Sequence, residues 1–156
     1  MKIKNILFTV FVITLSHFGI AQEQTESHSK LLASYFQLKD ALVNSDAKLS
    51  ATAAKAFIQT LSIENLKGIN ANLKSKLQKD AQAIAKSGDL EKQRKTFASL
   101  SENMVELAKT VKLSPQPVYE QYCPMQKASW LSSEKEIKNP YYGNAMLTCG
   151  SVKSTF

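Results

Sequence analysis

The chain has 156 residues, of which 44% are hydrophobic and 21% are charged. This composition is typical of one folded domain and excludes both a disordered chain and two independent cores. Only five residues are glycine, and the many alanine, leucine, lysine and glutamine residues favour helix over sheet. The formal net charge is +7, but the lysines are spread along the chain, so we expect a solvated cationic surface and no nucleic acid partner.

The first 21 residues have the pattern of a signal peptide. Lys2 and Lys4 precede an uncharged apolar run from Ile6 to Leu15, and small residues at Gly19 and Ala21 occupy the positions that a signal peptidase recognises. We predict cleavage after Ala21 and export to the periplasm. The apolar run is short for a bilayer span, so we expect no membrane span after cleavage, the alternative being an uncleaved anchor.

The residues that follow the predicted cleavage site are expected to change from flexible to helical near Ser29. Residues 22–28 lack apolar periodicity and form a predicted flexible lead. Beyond them, apolar residues recur at intervals of four, three and four, which is typical of one helix face. These residues are Leu31, Tyr35, Leu38 and Leu42.

Three further helices are predicted before the prolines at 115 and 117. The second runs roughly from Ala47 to Leu61 after a cap at Ser45 or Asp46, and the third from Ala71 to Lys86. Asp89 caps the fourth, whose apolar residues recur in steps of three, four and seven. They are Leu90, Phe97, Leu100, Met104, Leu107 and Val111. Because the loops are short, we predict an all-α fold, an up-and-down bundle of about four helices over residues 29–113.

Residues 114–156 have a different character. Aromatic residues concentrate there and the helical period disappears, so we predict an irregular tail of short extended segments and turns. Val118 to Tyr122 and Trp130-Leu131 are the predicted extended segments. Such a tail is too short for its own core, so we expect it to pack on the bundle with Trp130 as its anchor.

The residue inventory disfavours catalysis. After signal removal one histidine remains, His28, in the predicted flexible lead. Di-iron and haem sites in bundles need several histidines or axial ligands, and neither a phosphate-binding glycine loop nor an HExxH motif occurs. We therefore expect no enzymatic activity and no catalytic residue.

The tail carries two pairs of sulfur residues. Cys123 and Met125 are two residues apart, and Met146 and Cys149 are three apart. In an extended segment, residues two apart such as Cys123 and Met125 point to the same side. In a helical turn, residues three apart such as Met146 and Cys149 share a face. Two thiolates with two thioethers suit a soft metal ion, with Cu(I) the best candidate.

A disulfide is the alternative interpretation of the two cysteines. In an exported protein, a cysteine pair is most simply joined by a disulfide. The bond between Cys123 and Cys149 would close a loop of about 26 residues and would stabilise the fold by roughly 3 kcal/mol. Met125 and Met146 would then be packing residues.

The tail also resembles a known family. The string from Tyr122 to Gly150, YCPM…WLSSEKEIKNPYYGNAMLTCG, is similar to the signature of the exported bacterial domain of unknown function 3347. The resemblance extends to QRKTFASLSENMVELAK (Gln93 to Lys109) and YFQLKDALVNSD (Tyr35 to Asp46). Members stand alone in the periplasm or are appended to periplasmic adaptor subunits of copper/silver efflux systems.

The resemblance implies a function for the four sulfur residues. It points to a periplasmic protein that holds a soft metal ion and buffers it or passes it to an efflux adaptor. The implied ligands are Cys123, Met125, Met146 and Cys149. The Cys-Pro-Met element also resembles a shorter heavy-metal-binding motif, in which histidine stands where this chain has Gln126.

Overall fold

The computed structural model describes residues 26–64 and 66–156. The predicted signal peptide lies outside the described residues. The first helix, α1, covers residues 26–43, so it already includes 26–28, which the sequence assigned to the flexible lead. His28 is buried there, and its Nε2 lies 2.9 Å from the Lys67 carbonyl oxygen. None of the helices in the described ranges is long and apolar enough to cross a membrane.

Three more helices follow, close to their predicted bounds. They are α2 (Ala47–Ile63), α3 (Ala71–Lys86) and α4 (Leu90–Thr110). Asp46 and Asp89 cap α2 and α4 as predicted, because their carboxylates accept backbone N–H groups that have no partner within the first helical turn. Asn70 caps α3 in the same way.

The apolar faces of the helices meet in one core. α2 packs on α3, and α3 packs on α4. Tyr35, Phe57, Leu77 and Leu100 are fully buried, which removes their apolar surface from water and favours the packed state. The prediction of four helices packed together is therefore confirmed.

The chain beyond α4 forms a sheet, which corrects the prediction of an irregular tail and of an all-α fold. The three antiparallel strands are β1 (Tyr119–Cys123), β2 (Ala128–Ser132) and β3 (Ser151–Thr155), in the order β2-β1-β3. β1 begins one residue after the predicted extended segment that starts at Val118, and β2 includes the predicted segment Trp130-Leu131. β3 was missed because its sequence, SVKST, is mostly polar and its residues are largely exposed, so it depends on pairing with β1 rather than on burial.

Side chains of the bundle hold the sheet in place. The Tyr35 hydroxyl accepts the backbone N–H of Leu131 in β2 at 3.1 Å. Trp130 is fully buried and packs edge-on against Tyr141, with ring centroids 5.8 Å apart, and the Tyr141 ring in turn lies 6.0 Å from the Phe97 ring of α4. Arg94 of α4 donates from Nε to the Pro140 carbonyl at 3.0 Å. The docked sheet and the bundle thus share one core.

Candidate functional site

The fold brings the two cysteines together. Cys123 is the last residue of β1, and Cys149 precedes β3, which is antiparallel to β1 and paired with it. Their Sγ atoms are 3.9 Å apart, and both thiols are free. Cys123 is fully buried, whereas Cys149 is half-buried. Two of the four predicted ligands therefore form a close sulfur pair.

The distance between the two sulfurs identifies what the pair can do. The observed 3.9 Å is well beyond the roughly 2.05 Å of a disulfide bond. Two thiolates that share a tetrahedral ion, each bonded at about 2.3 Å, lie about 3.8 Å apart. The pair therefore has the separation of two ligands of one ion, and side-chain rotation could also close it into a bond.

A tight turn presents Cys123. Residues 124–127 connect β1 to β2, and Cys123 pairs with Ala128. Lys127 has a φ of 55°, the left-handed conformation that lets such a hairpin close. The backbone N–H of Gln126 donates to Cys123 Sγ at 3.5 Å. Because the backbone of Gln126 makes this contact, it does not depend on the side chain at that position.

Asn139 positions Cys149. Its Nδ2 donates to the Cys149 carbonyl at 2.7 Å, and its Oδ1 accepts the N–H of Tyr141 at 2.8 Å. The N–H of Cys149 donates to the Met146 carbonyl at 3.1 Å. On the other side, a Cβ on Gly150 would come within 2.9 Å of the Trp130 ring. Cys149 therefore lies between two fixed points, the buried amide of Asn139 on its carbonyl and Gly150, whose backbone lies close to Trp130.

The surroundings of Cys149 affect its protonation. Desolvation and the adjacent Cys123 thiol raise the pKa of the Cys149 thiol above its ordinary value. The Cys149 thiol is therefore a weaker acid than an ordinary cysteine thiol, and a bound metal ion would have to displace its proton.

The two methionines lie in turns near the cysteines. Met125 is in the turn after Cys123 and is 63% exposed. Met146 is half-buried and follows a short 3-10 helix, Gly143–Ala145. Within the described ranges, no group of three or more His, Cys, Asp or Glu side chains could hold a metal ion.

A buried carboxylate lies on β1, three residues before Cys123. Burial alone would raise the pKa of Glu120, but hydrogen bonds from Ser154 and Ser129, together with the Lys153 ammonium, outweigh it and lower the pKa. Ser129 and Ser154 donate to its two oxygens at 2.8 and 2.7 Å. Glu120 is therefore held ionised and links all three strands, which is a structural role.

Sequence reasoning missed two of the polar residues that shape the site. Asn139 was assigned only to a turn. Gln121 was not identified, although its fully buried Nε2 lies within hydrogen-bonding distance of three successive carbonyls after β2, those of Glu134, Lys135 and Glu136. A single amide residue among other polar residues creates no hydrophobic periodicity, so the local sequence does not predict that its side chain is buried.

The fold and the site define a class of protein, a four-helix bundle whose C-terminal sheet carries a pair of free thiols at one end. The family model described as "Protein of unknown function (DUF3347)" matches residues 31–116, just over half of the chain. The chain belongs to this family. The matched residues include α2, α3 and α4 and end before β1, so the cysteines lie outside them. Comparison with curated proteins and with solved structures finds no match.

Proposed function

We propose that this protein is a periplasmic binding protein for a soft metal ion, Cu(I), which it buffers or passes to an efflux adaptor. The observation that supports this function is the 3.9 Å separation of the Cys123 and Cys149 sulfurs at one end of the sheet. The role is binding and transfer, without catalysis. The periplasmic setting and the adaptor partner rest on the signal-peptide pattern and on the family resemblance.

The donor set favours Cu(I) over other metal ions. Soft thiolate and thioether ligands select Cu(I), and the two cysteines are accompanied by Met125 and Met146 in the neighbouring turns. A structural zinc site would need four ligands of the Cys and His type. The described residues offer no group of three such side chains, even when Asp and Glu are included.

The unequal burial of the ligands suits transfer. Cys123 is fully buried and would hold the ion from inside, whereas Cys149 is half-buried and Met125 is 63% exposed. An incoming donor from a partner protein could replace the accessible ligands one at a time. The buried thiolate would keep the ion bound until the exchange is complete.

The direct test replaces both thiols. Cys123→Ser/Cys149→Ser should lose Cu(I) binding measured anaerobically against a competing chelator, because only thioethers would remain. Met125→Leu and Met146→Leu should weaken binding. Met104→Leu is the matched control and should not, because Met104 is a fully buried core residue of α4. An unchanged affinity in the double serine variant, with its fold intact by circular dichroism, would refute the proposal.

A second candidate function also uses the close thiol pair. In that case the protein is a non-catalytic structural or interaction module whose tail is pinned by a Cys123–Cys149 disulfide. The two cysteines flank the paired residues Tyr122 and Ser151, and their sulfurs are already 3.9 Å apart. Intact mass and thiol titration of protein taken from its native compartment without reductant discriminate the two. A mass lower by two hydrogens and no titratable thiol support the module, whereas two titratable thiols support metal binding.

A further inference from the structure

We propose that Cys149 is a site of thiolation by small-molecule disulfides, and that Cys123 resolves the adduct into an intramolecular disulfide. The proposal assigns different roles to the two sulfurs. Cys149 reacts with the external disulfide, and Cys123 reacts only with Cys149.

Accessibility determines the order of the two steps. Thiol–disulfide exchange requires the attacking sulfur to approach the disulfide directly. Cys123 is fully buried at the end of β1, so an external molecule cannot reach it in the folded protein. Cys149 is only half-buried, in the segment before β3. An external disulfide therefore meets Cys149 first.

The geometry of the pair favours the second step. The sulfurs are 3.9 Å apart and must move about 1.9 Å closer to reach bonding distance. The N–H of Gln126 donates to Cys123 Sγ at 3.5 Å and so helps to hold this sulfur beside that of Cys149. Cys149 is at the same time held by Asn139 through its carbonyl. The buried thiol is thus a resolving thiol already in place.

The two steps balance in atoms and electrons. The Cys149 thiol gives its proton to solvent, and the resulting thiolate attacks one sulfur of the small disulfide. The S–S bond of that disulfide breaks, and the released thiolate takes up a proton. Cys123 then gives its proton to solvent and attacks Cys149 Sγ, which breaks the mixed disulfide and releases the second small thiol. The protein loses two electrons and two protons, and the small disulfide becomes two thiols.

This chemistry would also regulate the metal site, a consequence that rests on the proposed function. A Cys123–Cys149 disulfide leaves neither thiolate free to bind an ion. Oxidation would therefore release or exclude the metal, and reduction would restore the site. The exchange reaction itself needs no metal, so it can be tested independently.

The experiment uses reduced, metal-free full-length protein with glutathione disulfide, followed by intact-mass measurements over time. Wild type should show a transient single adduct and then the intramolecular disulfide. Cys123→Ser should stop at one stable adduct, whereas Cys149→Ser should remain unmodified. Equal adduct formation in the two single variants, or a stable adduct in wild type without ring closure, would overturn the proposal.

A measurement on the wild-type protein tests the same order of steps without relying on the folding of the variants. Wild type is quenched with acid at an early time and digested, and the adduct should map to the peptide that contains Cys149. An adduct on Cys123 would contradict the assigned order. Failure of this reaction leaves copper binding untouched, and failure of copper binding leaves this reaction untouched, so the two proposals fail separately.

Discussion

The Tyr35 hydroxyl links the bundle to the sheet. Its removal should measure how much this link contributes to the free energy of unfolding. It accepts the N–H of Leu131 at 3.1 Å and lies 2.7 Å from Ser101 Oγ of α4. The side chain is fully buried, and its ring stacks on Phe97 at a centroid distance of 5.4 Å. Tyr35→Phe keeps this stacking and removes only the hydroxyl, so any change in stability reports the two hydrogen bonds.

The expected cost of Tyr35→Phe follows from the group left without a partner. The Leu131 N–H would be buried without an acceptor, which costs about 1–3 kcal/mol. The Ser101 hydroxyl can turn toward a carbonyl of its own helix, so the loss of its bond to Tyr35 adds less to the cost. We expect the free energy of unfolding to fall by about 2 kcal/mol in total. For a domain of this size the melting temperature should fall by about 4–8 °C.

Urea and thermal unfolding monitored by circular dichroism measure this loss. Tyr142→Phe is the matched control, because the Tyr142 hydroxyl has no hydrogen bond within the part of the chain that the structure describes. The control should stay within about 0.5 kcal/mol of wild type. If Tyr35→Phe also stays within that margin, the hydroxyl does not dock the sheet and the reasoning is refuted.

Two further substitutions test other parts of the fold. Because the folded-state pKa of Glu120 is lowered from 4.5, its carboxylate stabilises the fold above the unfolded-state pKa and loses this effect as pH falls through the lower folded-state value. In urea unfolding near neutral pH, Glu120→Gln should lower the free energy of unfolding by about 1–2 kcal/mol. The difference from wild type should shrink at acid pH, and a difference that does not change with pH would contradict this explanation. Gly143 has a φ of 55°, and a Cβ there would lie 2.6 Å from Arg94 Nη2, so Gly143→Ala should cost about 2–3 kcal/mol in thermal unfolding. Gly88→Ala, which meets nothing within 4 Å, should be nearly neutral, and equal losses in the two variants would show that the close packing at Gly143 is unimportant.

The helices could be predicted because their signals are local. Asp46 and Asp89 satisfy backbone groups only two or three residues away, and the apolar stripe of each helix repeats within a few turns. Both kinds of signal are contained in short stretches of sequence. The bounds of α2, α3 and α4 therefore followed from the residues nearby.

The sheet depends on pairings that no local pattern encodes. β3 pairs with β1 across about thirty residues, and the register shifts between Glu120 and Gln121. Val152 is the one apolar residue in β3, so the strand has no alternation to indicate a buried face. What selects its position is the backbone of β1 already docked on the bundle, which is a tertiary effect.

The spacing of the cysteines and methionines identified them in the sequence. No sequence pattern identified Asn139, which holds Cys149 in place. The sequence predicted that the two cysteine strings would meet, and the 3.9 Å separation agrees with this. Asn139 acts through the Cys149 carbonyl, a contact that depends on how the loop returns to the sheet. Backbone carbonyls occur at every residue, so sequence alone cannot indicate which of them an amide will bind.

The two halves of the thiol pair are fixed to the bundle by separate contacts. Tyr35 binds the backbone of β2, whose partner β1 ends in Cys123. Arg94 binds the carbonyl of Pro140, next to Asn139, which holds Cys149. Both anchoring residues lie within the region that the family model matches. Two sulfurs fixed in this way keep a short separation without a bond between them, and both ion exchange and reversible disulfide formation need a pair that is close but not yet joined.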